Sequence, residues 1–321
     1  MKFRTEIKIE PLHTMIGYEN RVLAVGSCFT EHISERLLRY KFRVTANPTG
    51  VVFNPMSIAR QITFYKNHLQ ITADDLHHTG ERWFSYMFHS DFSALTQADA
   101  VARINEALRR GAEAYDASDT LLLTLGTAWI YTLDGEVVAN CHKQPASLFE
   151  RKAMSVETIV AELSALFENI GSEKRIILTL SPVRHIGDGL SENSLSKATL
   201  RVAIDRLCKQ YEQVEYFPAY EILMDDLRDY RFYASDLVHP SDQAIDYIWE
   251  HFRDAVLNKQ ARELIPRVER IVLSVNHRPR NPKAEEYQNL VKKTLTQMDE
   301  LKDAVDFREE RERFRRCLEI I

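Results

Sequence analysis

Two rhythms of apolar residues alternate along most of the chain. Val22-Leu23-Ala24-Val25 is apolar at consecutive positions and Leu121 to Leu125 at all but Thr124, and glycine ends each run, at Gly26 and Gly126. Runs apolar on both faces suit strands of a parallel sheet that is covered on both sides. After the first run, Phe29, Ile33, Leu37 and Tyr40 fall on one face of a helix. Phe42 to Ala46 reads as a second strand, stopped by Asn47-Pro48-Thr49-Gly50. Asn54-Pro55 places a capping side chain before a proline at the first helical position. Trp129 to Thr132 and Val137 to Ala139, joined through Asp134-Gly135, read as a hairpin.

Ser155 caps a helix with the stripe Ile159, Leu163, Leu166, Phe167 and Ile170. Arg175 to Leu180 and Val214 to Phe217 supply a fourth and a fifth core strand. Two helical stripes follow them: Leu200, Ala203, Ile204, Leu207, Tyr211, and then Ile245, Ile248, Trp249, Phe252, Val256. Strand and helix in alternation predict an α/β fold, three layers α/β/α about a five-stranded, mostly parallel sheet. That domain spans residues 1–257. Residues 258–321 read as a helical C-terminal extension with the stripe Tyr287, Val291, Met298, Leu301 and Val305 and a gap at Thr294. The extension is free to pack on its own domain, to pair with a second copy, or to bind a partner.

Open parallel sheets hold ligands at the carboxyl ends of their strands. The chemically distinctive residues lie there: Gly26-Ser27-Cys28, Asn47 to Gly50, Gly126-Thr127, Ser181 to His185, and the loop ending at His239. In Val25-Gly26-Ser27-Cys28-Phe29 a strand stops and a helix starts within two residues. A side chain there meets the unpaired N–H groups of a helix N-terminus, which lower a thiol's pKa and can hold an oxyanion. Cys28 is the candidate nucleophile and Ser27 its rival. Asp236 and His239, three apart before the last helix of the domain, suit a carboxylate that orients a histidine base. Asn140 and His142 share a strand face and are candidate substrate or oxyanion donors. Arg184 can hold an acidic group, and His185 is a second possible base. Asp188-Gly189 and Asn193 to Lys197 read as a turn and a helix start with a structural role. Trp83, Phe84, Tyr86, Phe88 and His89 form an aromatic cluster that suits core packing or the floor of a pocket.

Composition narrows the choice. A net charge of −5 and a pI near 6.2 argue against a nucleic-acid-binding role. Four scattered cysteines, Cys28, Cys141, Cys208 and Cys317, include no C-x-x-C pair, so neither a structural zinc site nor a disulfide framework is expected. No cofactor is implied. Met1 to Glu10 lacks an apolar signal-like run and no stretch has membrane-spanning length, so a cytoplasmic protein is expected.

Gly26-Ser27-Cys28-Phe29-Thr30, Asn47-Pro48-Thr49-Gly50, Thr124 to Trp129, Asn140-Cys141-His142-Lys143, Ser181 to His185 and Asp236 to Pro240 together resemble the GSCFA family, from about residue 20 to residue 255. That group in turn resembles the SGNH or GDSL-like hydrolases. The resemblance implies a flavodoxin-like, SGNH-hydrolase-like architecture. It puts Cys28 at the nucleophile position, Asp236 and His239 on the catalytic pair, and the N–H groups of Cys28, Gly50 and Gly126 at the oxyanion hole. Two departures stand out: the nucleophile is a thiol, and Gly126-Thr127-Ala128-Trp129 lacks the asparagine that the hydrolases place in this block. The expected activity is hydrolysis of acyl esters, including deacetylation of sugars. The alternatives are an acyltransferase drawing on a thioester donor, and a ligand-binding protein of the same fold without turnover. The expected partners are an acylated small molecule, a carbohydrate among the candidates, and a second copy of the chain through the C-terminal helices.

Overall fold

Five apolar runs become neighbouring strands of one parallel sheet in a computed structural model, which describes residues 4–319 except 14, 282 and 283. Met1 to Phe3 and the side chains of Asp188 and Cys317 lie outside the described residues. In chain order the strands are β1 (Arg21–Gly26), β2 (Arg43–Ala46), β3 (His77–Thr79), β4 (Arg82–Phe84), β5 (Thr120–Leu125), β6 (Trp129–Leu133), β7 (Glu136–Val138), β8 (Glu150–Ala153), β9 (Arg175–Leu180) and β10 (Val214–Phe217). The helices are α1 (Cys28–Arg39), α2 (Pro55–Lys66), α3 (Gln97–Ala117), α4 (Val156–Ile170), α5 (Leu190–Gln210), the single turn α6 (Ala219–Glu221), α7 (Asp242–Val256), α8 (Lys259–Asn276), α9 (Glu285–Glu300) and α10 (Arg308–Glu319).

The main sheet runs β10-β9-β5-β1-β2, and every pair in it is parallel. Its side chains alternate between two cores, as the pleat requires. Ala24, Leu122, Ile177 and Phe217 face α1 and α7, whereas Leu23, Leu123, Leu178 and Leu180 face α2 to α5. Two such covered faces make the three-layer α/β/α arrangement. After β1 the chain turns outward to β2, then returns on the other side of β1 as β5. The crevice between the carboxyl ends of β1 and β5 is therefore the topological switch point, where such sheets bind ligands.

Local signals held at the expected positions. Asn54 accepts the Ser57 N–H at 2.8 Å and Ser155 the Thr158 N–H at 3.1 Å. Asp134 and Gly135 both have positive φ, as a tight hairpin turn demands. The β6–β7 hairpin gains β8 as a third, antiparallel strand, and the aromatic stretch begins in a small β3–β4 hairpin; neither addition is anticipated by the pattern. Phe84, Tyr86 and Phe88 are buried, so most of the aromatic cluster packs a core. The C-terminal stripe is equally buried. Tyr287, Val291, Met298, Leu301 and Val305 share one apolar core with residues of α1 and α7, and the Thr294 hydroxyl donates back to the Leu290 carbonyl at 2.8 Å. No helix among the described residues is long and apolar enough to cross a membrane.

Candidate functional site

Gly26 closes β1 in a conformation that only glycine adopts readily, with φ of 151°. A Cβ at this position would lie 2.3 Å from the Thr124 carbonyl oxygen of β5. The next N–H, that of Ser27, donates to the same oxygen at 3.3 Å. This close approach turns the chain sharply and starts α1 at Cys28, at the switch point. Ser27 is only 1% exposed, and its hydroxyl neither caps the helix nor meets another partner. Thr30 N–H is bonded instead to the Ser27 backbone oxygen at 2.8 Å. Cys28 is partly exposed, so of the two rivals the thiol is the accessible one.

The thiol's acidity departs from expectation. Burial pushes the Cys28 pKa up, and Glu31 adds to the rise; the N–H groups of Phe29 and Cys28 and the charge of Lys197 act against them. The helix N-terminus does favour the thiolate, but desolvation outweighs it.

The base is built within one loop. Asp236 Oδ1 accepts the N–H groups of Val238 at 2.9 Å and His239 at 3.0 Å, while Oδ2 lies 2.7 Å from His239 Nδ1. These bonds hold the Asp236 carboxyl down at about 2. An ionised carboxylate on Nδ1 leaves Nε2 of the neutral ring as the acceptor. Leu237, at φ 58°, makes the bend, and Ala234 N–H closes the loop on the His239 carbonyl at 2.7 Å. Arg184 N–H donates to the Val238 carbonyl at 3.2 Å, which ties this loop to the segment after β9.

Charge links these parts. His239 acts on His32 of α1 and on His185, and Lys197 acts on both His185 and Cys28. Interactions of this kind fall off with distance, so Cys28, Lys197, His185 and His239 mark one region at the carboxyl edge of the sheet. Burial, helped by Lys197 and His239, lowers the His185 pKa to about 4, and its Nε2 is buried without a hydrogen-bond partner. His185 is thus neutral at pH 7. Arg184 lies over the Tyr233 ring, 4.0 Å from its centroid.

Four expected roles need correction. Gly50 N–H donates to the Asn47 carbonyl at 2.8 Å and Gly126 N–H to the Phe53 carbonyl at 2.7 Å, so neither is free for an oxyanion. Asn140 Oδ1 accepts the His142 N–H at 2.8 Å, and His142 Nε2 lies 3.0 and 3.1 Å from the carbonyls of Ser85 and Phe88. Burial lowers the His142 pKa, and the histidines that act on it are His89 and His77, not His239. Asn140 and His142 therefore brace the hairpin end against the aromatic cluster.

Two residues were not read as functional from the sequence. Asn47 is 7% exposed; its Oδ1 accepts the Gly26 N–H at 2.9 Å, which leaves its Nδ2 buried without a partner beside the nucleophile turn. Lys197, expected to be structural, is 2% exposed, and its Nζ donates to the carbonyls of Gly126 at 2.6 Å and Ser181 at 2.8 Å. Its position was the signal: Lys197 precedes Leu200, Ile204 and Leu207 at spacings of three, four and three, on the buried stripe of α5.

The model of the GSCFA family matches residues 21–252, and that of the GSCFA domain protein, C-terminal domain, matches residues 268–320. No curated protein matches the chain. The first match takes in the nucleophile turn, Asn47, Lys197 and the Asp236–His239 loop together, and the second takes in α9 and α10; the chain belongs to the GSCFA family.

Proposed function

We propose that the protein cleaves acyl esters, acetylated sugars among them, through a covalent thioester on Cys28. The observation that carries this reading is the 2.7 Å contact between Asp236 Oδ2 and His239 Nδ1, in a loop whose histidine acts electrostatically on the surroundings of Cys28. The Cys28 proton passes to His239 Nε2 and Sγ attacks the acyl carbon. The carbonyl oxygen becomes an oxyanion, held by the N–H groups of Cys28 and Phe29 and by Asn47 Nδ2. His239 returns the proton to the leaving alkoxide as the acyl–oxygen bond breaks. Water, activated by the same histidine, then releases the acid and restores the thiol. Such donors, aimed at charge that develops only in the transition state, are each worth about 10²–10³ in rate.

A second reading, ligand binding without turnover, draws support from the engaged N–H groups of Gly50 and Gly126 and from the raised thiol pKa. Offering short acyl esters and thioesters to wild type, Cys28→Ala and Ser27→Ala separates the two. The catalytic reading expects turnover that vanishes in Cys28→Ala and survives in Ser27→Ala, with an acyl adduct on Cys28 seen by mass spectrometry. Binding of the ester without acid release or adduct favours the second reading. An added amine or sugar acceptor that diverts the acyl group identifies the transferase variant.

A further inference from the structure

Arg184 is stacked but carries no ion pair. Its guanidinium carbon lies 4.0 Å from the centre of the Tyr233 ring and 5.1 Å from that of Tyr230. Aromatic rings cover the faces of a guanidinium, whereas its N–H groups point outward in the plane, where an oxyanion can take two of them at once. Elsewhere in the chain a stacked arginine gives that edge to a carboxylate. Arg201, over the Tyr216 ring, pairs with Glu221 at 3.0 Å, and Arg39, over the Tyr40 ring, pairs with Glu269 at 3.3 Å. Among the described residues no carboxylate pairs with Arg184.

Backbone bonds set this guanidinium beside the base loop. Arg184 N–H donates to the Val238 carbonyl at 3.2 Å, one residue before His239. Tyr233 pairs with Pro240 across an antiparallel bridge, and Ala234 N–H donates to the His239 carbonyl at 2.7 Å. Arg184 and the ring beneath it are thus both fastened to the segment that holds His239. Ile186, two residues after Arg184, is exposed, as are Tyr230 and Leu237, so this edge is apolar next to its positive charge.

We propose that Arg184, stacked on Tyr233 and Tyr230, binds an anionic oxygen group of the substrate, a carboxylate or a phosphate, which the acyl ester bears beside an apolar or ring portion. Stacking fixes the fork before the anion arrives, so less side-chain freedom is lost on binding. The assignment of the anion to an acyl ester rests on the catalytic reading above; the binding of the anion does not.

Two measurements test this. Calorimetry compares benzoate and phenyl phosphate with phenol, on wild type and on Arg184→Gln. At least one anion should bind wild type tenfold or more tighter than phenol, and the tighter of the two names the group. That preference should vanish in Arg184→Gln. Anions that bind no tighter than phenol, or a preference kept by Arg184→Gln, overturn the proposal. Should Arg184→Gln fail to fold, the ¹⁵Nε signal of Arg184 in wild type decides: it should shift as benzoate or phenyl phosphate is added, and a signal that moves with neither overturns the proposal. The second measurement is kinetic, with 4-acetoxybenzoate, 4-acetoxyphenyl phosphate and phenyl acetate. The ratio of kcat/KM for the favoured anionic ester to that for phenyl acetate should fall at least tenfold in Arg184→Gln. Anion binding that depends on Arg184 in a protein that cleaves no ester keeps the anion site and removes the catalytic reading. Cleavage indifferent to the anion does the reverse.

Discussion

Asn47 uses one end of its amide and leaves the other idle. The bond to Gly26 N–H fixes which end is which, so the buried Nδ2 is a donor waiting for an acceptor. Asn47→Asp keeps the acceptor and removes the donor. Steady-state kinetics should show kcat reduced about 100-fold with KM little changed, the signature of a contact made mainly in the transition state; equal losses in kcat and affinity would point to a ground-state role. His185 makes a different prediction. Its folded pKa of about 4 lies below the usual 6.5, so between those values the unfolded chain binds the proton and the folded one does not. Stability should therefore fall as pH drops from 6.5 toward 4, by roughly 3 kcal/mol. Urea unfolding of wild type and His185→Phe across that range measures it, and a variant with the same pH slope would refute the assignment. The sequence made Cys28, Asp236 and His239 legible because each sits at a strand or helix boundary. Asn47 and Lys197 were harder, because their roles depend on burial and on which partners the fold denies them.

At the scale of elements, the legible parts are those with strong contrast. Leu121 to Leu125 and Arg175 to Leu180 became the central strands because nothing but a doubly covered sheet hides such runs. The long α3 went unread: its buried face is Ala100, Ile104, Ala107, Leu108, Gly111, Ala112 and Tyr115, small residues that give a weak stripe although they pack closely. Gly111 shows why the face is small, since a Cβ there would meet the Tyr65 ring at 2.3 Å. The β1–α1 turn makes an equally strict demand. Gly26→Ala combines a forbidden φ with a backbone clash against β5, and it should cost about 3 kcal/mol or more. Thermal unfolding reads the cost, and a Tm within two or three degrees of wild type would mean that the two strands can part without penalty.

For the whole molecule, a boundary near residue 257 divides the sequence pattern but not the core. Ile265, Val268 and Ile271 of α8, with Met298 and Phe314 beyond, pack in the same cluster as Phe29, Ile33 and Trp249. The alternatives of self-packing, pairing and partner binding are read from one stripe, and a stripe cannot say what covers it; here the domain's own helices do. Met298→Ala should remove about 2–4 kcal/mol from global unfolding. Trp249 fluorescence and far-ultraviolet dichroism should still report one shared transition. Two separated transitions would show that the extension unfolds on its own.

The far end of α1 rests on that extension. Arg39 and Tyr40 reach Glu269 at 3.3 and 3.4 Å, and Lys41 reaches Glu310 at 2.9 Å. A twelve-residue helix is a stiff rod of about 18 Å. Whatever shifts its heel shifts its tip, and the tip carries the sulfur. Amino-acid changes in the tail, far from any substrate, are thus positioned to tune the reactivity of Cys28 by the seating of a single lever.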